Sequence, residues 1–272
     1  MPYSPMELAK VFLKTGELDD ALEALQDQLT QEPHDDTARR LYIQVKMRLA
    51  NASELANLVQ EFDHLDELTT NDYQLQSVIF ERTNQLDHAI DVIRVAHQLD
   101  PENPRLIERL LDLYLTNQAY DEALELVRQQ ARTWQWLERE GDVLVLLGND
   151  ILATARYGLV LAHLDDLTGT IHEDYLQALR LRVILARAHA YRRLEHTALA
   201  REHYQLAQSI VKDDVTIQFN LGLLDFLDGD TESAIQQCQT ALEQASDVHR
   251  QNMIASLDDI ETFALLKAEL NL

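Results

Sequence analysis

TGELDDALEALQDQLTQEPHD at residues 15–35 and TNQLDHAIDVIRVAHQLDPEN at residues 83–103 superpose without a gap, placing Ala21 over Ala89 and Pro33 over Pro101. Both separations are 68 residues, twice 34. The same 34-residue step carries Ala89 to Ala123 in NQAYDEALELVRQQ, and Ala200 to Ala234 in DGDTESAIQQCQTALEQ. A fixed period of this size marks a supersecondary unit repeated along the chain. Leu8 and Phe12, then Ala21 and Leu25, recur at helical spacing, so each unit reads as two helices with one apolar stripe apiece. The small alanine lets the two axes approach closely. Pro33 and Pro101 each end a helical run, because proline cannot extend the hydrogen-bond ladder.

Working outward, NLGLLDFLDGDTESAIQQCQTALE (220–243) contains a Leu221-Gly222 pair, a Gly229-Asp230 turn and the small residues Ala234 and Ala241. Comparable sets are Leu8, Ala9, Phe12, Gly16, Ala21, Leu25 and Pro33; Tyr73, Phe80, Ala89, Ile93, Ala96 and Pro101; and Leu110, Leu111, Tyr114, Tyr120, Ala123 and Val127. In this phasing the chain resembles the tetratricopeptide repeat family, whose unit is a 34-residue helix–turn–helix. The resemblance implies an all-α, right-handed superhelical solenoid of antiparallel helix pairs. It also implies a binding role, with the first helix of each pair lining a concave groove that receives a peptide or a partner helix.

The expected organisation is one solenoid of about seven helix pairs over 1–247, with 248–272 as a C-terminal helix capping the last exposed apolar face. Two places depart from the phase. The residue 34 positions after Ala21 is Leu55, which makes the second repeat a poor match. From Ala123 to Ala200 the distance is 77 residues, two periods plus 9, so the stretch 133–175 holds an irregular repeat with longer helices or an enlarged loop.

Composition agrees with helices. The 272 residues include only 7 Gly and 5 Pro, too few for the turns of a sandwich, a barrel or a glycine-rich nucleotide fold. With 23 Lys+Arg against 47 Asp+Glu the formal charge is −24, which disfavours nucleic acid and anionic membrane surfaces as partners. The single Cys238 excludes an intramolecular disulfide and suits a reducing compartment. No signal peptide and no membrane-length apolar run is visible, so the expected location is the cytoplasm.

Of the 23 cationic residues, 14 fall on first helices, whereas second helices open with acid, as in Asp19-Asp20 and Asp121-Glu122. Lys10 and Lys14 share a helix face; so do Arg40, Gln44 and Arg48, and so do Arg182, His189 and Arg193. With Arg82, Arg105, Arg109 and Asn220, these residues form the candidate peptide groove, suited to acidic or carboxylate groups. Acid in first turns and base in last turns also suits the helix macrodipole, so the bias has a structural explanation as well. Trp134 and Trp136, two apart, cannot both point inward.

Signals for chemistry fail. None of HExxH, GxGxxG, GxxxxGK[ST] or GxSxG occurs, and DGDTES (228–233) lacks the glycine and glutamate of a calcium loop. The expectation is a non-catalytic protein-interaction scaffold without metal or cofactor. The alternatives are a self-assembling structural protein, for which an oligomer is expected, and a peptide-sensing regulator.

Overall fold

The computed structural model describes residues 3–272, and every regular element among the described residues is a helix. Contacts divide the chain into two compact units, Met1–Ala123 and Leu124–Leu272.

Unit 1 contains α1 (Pro5–Thr15), α2 (Leu18–Gln31), α3 (Asp36–Leu49) and α4 (Ala52–Leu58), then a 3₁₀ turn (Val59–His64). It continues with α5 (Thr70–Arg82), α6 (Leu86–Leu99), α7 (Pro104–Thr116) and the start of α8 (Tyr120–Arg128). Three of the starts close on themselves locally. Ser4, Asn51 and Thr69 form capping boxes with Glu7, Glu54 and Asp72, satisfying the donors a first turn leaves free. Gly16 ends α1 at φ 84°, a left-handed conformation that costs glycine little. Helices adjacent in sequence pack on one another from α1 to α7, as nearest-neighbour stacking of helix pairs requires.

Unit 2 contains the end of α8, then α9 (Trp134–Leu146), α10 (Asp150–Asp166), α11 (Glu173–Arg193), α12 (Thr197–Ile210), α13 (Val215–Leu227) and α14 (Thr231–Gln244). It closes with α15 (Asp247–Ser256) and α16 (Phe263–Glu269).

The repeat alanines sit where helices close on each other. Ala21, Ala89, Ala123, Ala200 and Ala234 have no exposed surface. Twelve residues ahead of four of them stand Ala9, Ser77, Ala188 and Gly222, again small, and the first three are likewise wholly buried. A Cβ on Gly222 would lie 2.9 Å from the Cys238 sulfur, so a first helix and its partner meet there with no room for a methyl group. In the second repeat the equivalent positions hold Ile43 and Leu55, both buried, and α4 is only 7 residues long before it tightens into the 3₁₀ turn.

The irregular repeat has a structural explanation. Thirty-four residues after Ala123 comes Tyr157, a buried bulky ring where the pattern asks for alanine. Its space comes from Gly141 on α9, whose Cβ, if present, would sit 2.6 Å from the ring. Tyr157 therefore keeps the 34-residue step, and the small partner that makes room for it, Gly141, stands about one helical turn before the position twelve residues ahead. The 9 extra residues fall between Tyr157 and Ala200, where α10 is 17 and α11 is 21 residues long.

The single helix expected over 248–270 is two helices, broken at Leu257–Thr262. Met253, Leu257 and Ile260 fall on one side of a continuous helix, but Phe263, Leu266 and Leu270 would fall about 100° further round. Breaking the helix turns both sets onto one cluster with Phe219, Leu223 and Cys238 of α13 and α14. Burial pushes the Cys238 thiol up to about 12, and its sulfur lies 3.7 Å from the Phe219 carbonyl. It is a packed structural residue.

Gly141→Ala tests this accommodation. A methyl group gains about 1 kcal/mol of helix propensity but overpacks a buried ring, typically at 1–3 kcal/mol, giving a net loss on the order of 1 kcal/mol in denaturant melts. Gly158→Ala meets only the flexible end of Arg187, at 3.1 Å, and should be neutral or stabilising.

Candidate functional site

On α1, Lys10, Leu13 and Lys14 follow i, i+3, i+4 and share a face; on α3, Leu41, Gln44, Val45 and Arg48 follow i, i+3, i+4, i+7 and do the same. Leu13, Leu41, Gln44, Val45 and Arg48 line a cleft of about 180 Å³. Leu13, Leu41 and Val45 belong to the apolar cluster that joins α1 to α3, so the floor is apolar and the rim is Gln44 and Arg48. Lys10, Lys14 and Arg48 are exposed, and none makes an ion pair among the described residues. Lys10 stands one turn from Glu7, whose carboxylate is drawn below its ordinary range by the Ser4 backbone and hydroxyl that it caps.

Other groove candidates in unit 1 have internal partners. Arg40 donates through Nε to both oxygens of Asp72 at 3.1 Å and through Nη2 to the Glu67 carbonyl at 2.8 Å. Asp72 is fully buried and also accepts from the Thr69 amide and hydroxyl, so one carboxylate both caps α5 and anchors α3. Arg82 donates to the Met47 carbonyl at 2.5 Å, helping to close the C-terminal end of α3. Arg109 pairs with Glu81 at 2.6 Å. Arg105 is exposed and unpaired among the described residues.

In unit 2 the predicted face of α11 also turns to internal partners. Arg182 makes a two-bond fork to Glu138 of α9, both contacts at 2.7 Å. Arg193 does the same with the buried Asp150 of α10. His189 lies 2.8 Å from the Tyr204 hydroxyl, which donates to Asn220 Oδ1 at 3.0 Å, while Asn220 Nδ2 donates to the Thr216 carbonyl. With the tyrosine proton given to Asn220, the consistent imidazole tautomer carries its proton on Nδ1. Burial, reinforced by Arg192 and Arg193, pushes His189 down to about 3, so it stays neutral.

The predicted strip therefore separates. Arg40, Arg109, Arg182 and Arg193 lace neighbouring helices together, His189 and Asn220 form a buried network, Gln44 and Arg48 line one cleft, and Lys10 and Lys14 stand on the face of α1 that carries Leu13. The cleft's apolar floor was not singled out in the sequence, although Leu41 and Val45 are readable as the apolar edge of the Gln44 face. Trp134 packs on the core of unit 2 and Trp136 is half-buried. Asp230 caps α14 through the Ser233 amide, so DGDTES is the inter-helix turn. No cluster of metal-ligating residues occurs among the described residues, and no helix among them is long and apolar enough to cross a membrane.

Residues 185–249 match a family model described as Tetratricopeptide repeat. No curated protein matches the chain. Among solved structures, it is similar to the C-terminal part of a TPR repeat-containing protein from Cytophaga hutchinsonii, with TM-score 0.62 and 13% identity over 93% of this chain and 98% of that one. A tetratricopeptide repeat protein from Parabacteroides merdae gives TM-score 0.50 and 13% identity over 94% and 98%. MamA from Desulfovibrio magneticus RS-1 gives TM-score 0.51 and 16% identity over 65% and 97%. At these identities the shared property is the fold.

Arg40→Ala should cost about 1–3 kcal/mol, because it strips a buried carboxylate of its cation, whereas Arg105→Ala should stay within about 0.5 kcal/mol. Equal losses in denaturant melts would refute this division of the arginines. Folding also holds His189 neutral below the pH at which the unfolded chain protonates it. The unfolded state then binds more protons, so stability falls as pH drops from about 6.5 toward 3, by up to about 1.4 kcal/mol per unit from this group. Comparing melts of the wild type and His189→Gln between these limits should show the variant with the shallower slope.

Proposed function

We propose that this tetratricopeptide-repeat chain is a non-catalytic protein-interaction scaffold that grips an acidic peptide or partner helix on the first-helix face of α1 and α3. One observation supports the reading most directly: a cleft floored by Leu13, Leu41 and Val45 is bordered by Gln44 and Arg48, Lys10 and Lys14 share the helix face of Leu13, and these three cations lack internal ion pairs among the described residues. The cleft has room for one apolar side chain, whose burial is worth about 1.5–3 kcal/mol. Charge-assisted hydrogen bonds from Arg48 or a lysine to a carboxylate add about 1.5–3 kcal/mol each before ordering costs. The sum suits a reversible interaction that weakens with salt, since exposed charges are screened beyond about 8 Å at physiological ionic strength. Arg105 is a more distant contributor, Arg40 and Arg82 act by holding α3, which presents the cleft, and Arg109 ties α7 to α5. A cytoplasmic setting accords with the single buried thiol.

Affinity capture from the native cell extract, read by mass spectrometry, tests the proposal with the wild type and the Lys14→Glu/Arg48→Glu chain. Both substituted residues are exposed, so the variant should fold normally and lose its captured partner by about tenfold or more. Identical capture by both proteins, with binding indifferent to salt, would remove the cleft from the mechanism.

A further inference from the structure

In unit 2 a second cationic site is built around one carboxylate. Glu140 of α9 has a side chain only 1% exposed, and three guanidiniums converge on it. Arg128, at the end of α8, reaches Oε1 at 3.0 Å; Arg132, in the following loop, and Arg156, on α10, reach Oε2 at 3.0 Å and 2.7 Å. Burial works against the charge on Glu140, but the Arg156 and Arg128 guanidiniums beside it outweigh that cost and hold the carboxylate below its ordinary range.

The charges do not balance: three cations meet one anion. In a chain of formal charge −24 this leaves a local surplus of about two positive charges. Between Glu125 and Glu138 the stretch LVRQQARTWQWL (126–137) contains two arginines and no acidic residue, and Glu138 is already committed to Arg182. Each guanidinium has five N–H donors. Arg128 spends only Nε and Arg132 only Nη1 on Glu140, and neither makes another hydrogen bond among the described residues. Their side chains are 45% and 55% exposed, so the remaining donors face solvent. Glu140 holds like charges close together, and an external anion would relieve their mutual repulsion.

We propose that Arg128 and Arg132, positioned by Glu140 and Arg156, form a carboxylate-binding site for an acidic segment of a protein partner. The overall charge selects the source of the anion. A nucleic acid or anionic membrane presents a long row of charges that the rest of the acidic chain repels, whereas a short Asp/Glu segment needs only the local surplus. The site is separate from the α1–α3 cleft and stands on different residues.

Titration with an N-acetylated hexaglutamate peptide, read by tryptophan fluorescence, tests the site. Trp134 and Trp136 are the chain's two tryptophans and lie beside Arg132 in sequence. The titration uses the full chain carrying Lys14→Glu/Arg48→Glu, so that the cleft of unit 1 does not compete and failure of one site is distinguishable from failure of the other. The peptide should bind, raise the melting temperature, and lose affinity as salt increases. Adding Arg132→Glu, an exposed loop change, should weaken binding by about tenfold or more. Adding Glu140→Gln, with folding checked by circular dichroism, should tighten binding because the internal competitor loses its charge. Undetectable binding, equal affinity with Arg132→Glu, or preferential binding of a single-stranded oligonucleotide or phosphatidylserine vesicle through these arginines would overturn the proposal.

Discussion

Two helices can close on each other along their length only where a side chain shorter than the usual core residue stands at the crossing. That constraint accounts for the 34-residue alanines, for the small residues twelve positions ahead of them, and for the absent methyl of Gly222 against Cys238. It sets the distance between paired helices, and the distance sets which apolar residues reach the next pair. Where a large ring takes the alanine's place, with Gly141 under Tyr157, the helices still pair. Where both positions are large, at Ile43 and Leu55, the second helix is short.

Charge supplies the second level of organisation. Leu and Ala contacts hold a stack together without fixing how far one helix slides along another. The arginine–carboxylate forks do fix it, because two parallel hydrogen bonds demand one geometry. Arg182 on Glu138 and Arg193 on Asp150 tie α11 to both helices of the preceding pair, while the wholly buried Arg192 ties the same helix to Asp259 and the Ser256 carbonyl at the C-terminal break. Among the described residues, much of the scarce positive charge is thus internal structure. Binding chemistry is left to cations that the fold leaves unpaired or crowds together.

The candidate groove was legible only in part for this reason. Helical spacing placed Lys10 with Lys14, and Gln44 with Arg48, on common faces; Gln44 and Arg48 line the cleft beside Leu13, while Lys10 and Lys14 share only the helix face of Leu13. The same reasoning put Arg40 beside Gln44 and Arg48, but Arg40 reaches Asp72, 32 residues away. Asp72 caps α5 beside Thr69, and nothing local in the sequence announces its second role. Likewise His189 followed the face of Arg182, yet Tyr204 and Asn220 enclose it. Spacing along one helix reports a shared direction; it does not report what the neighbouring helix places there.

The sequence by itself determined the class of fold, the period of the helix pairs and the residues that let them approach, because helix formation and apolar patterning are local and repeat every 34 residues. It also held, unread, the change of apolar phase after Ile260 that breaks the last helix in two. Only the tertiary structure decided which arginines are neutralised, how Tyr157 is accommodated, and that Arg128, Arg132 and Arg156 meet at Glu140. Each of these depends on side chains brought together across different helices, and an ion pair forms by proximity in space whatever its separation along the chain. The net charge of −24 therefore describes the chain as a whole, while its usable positive charge is set by which internal carboxylates the packing supplies.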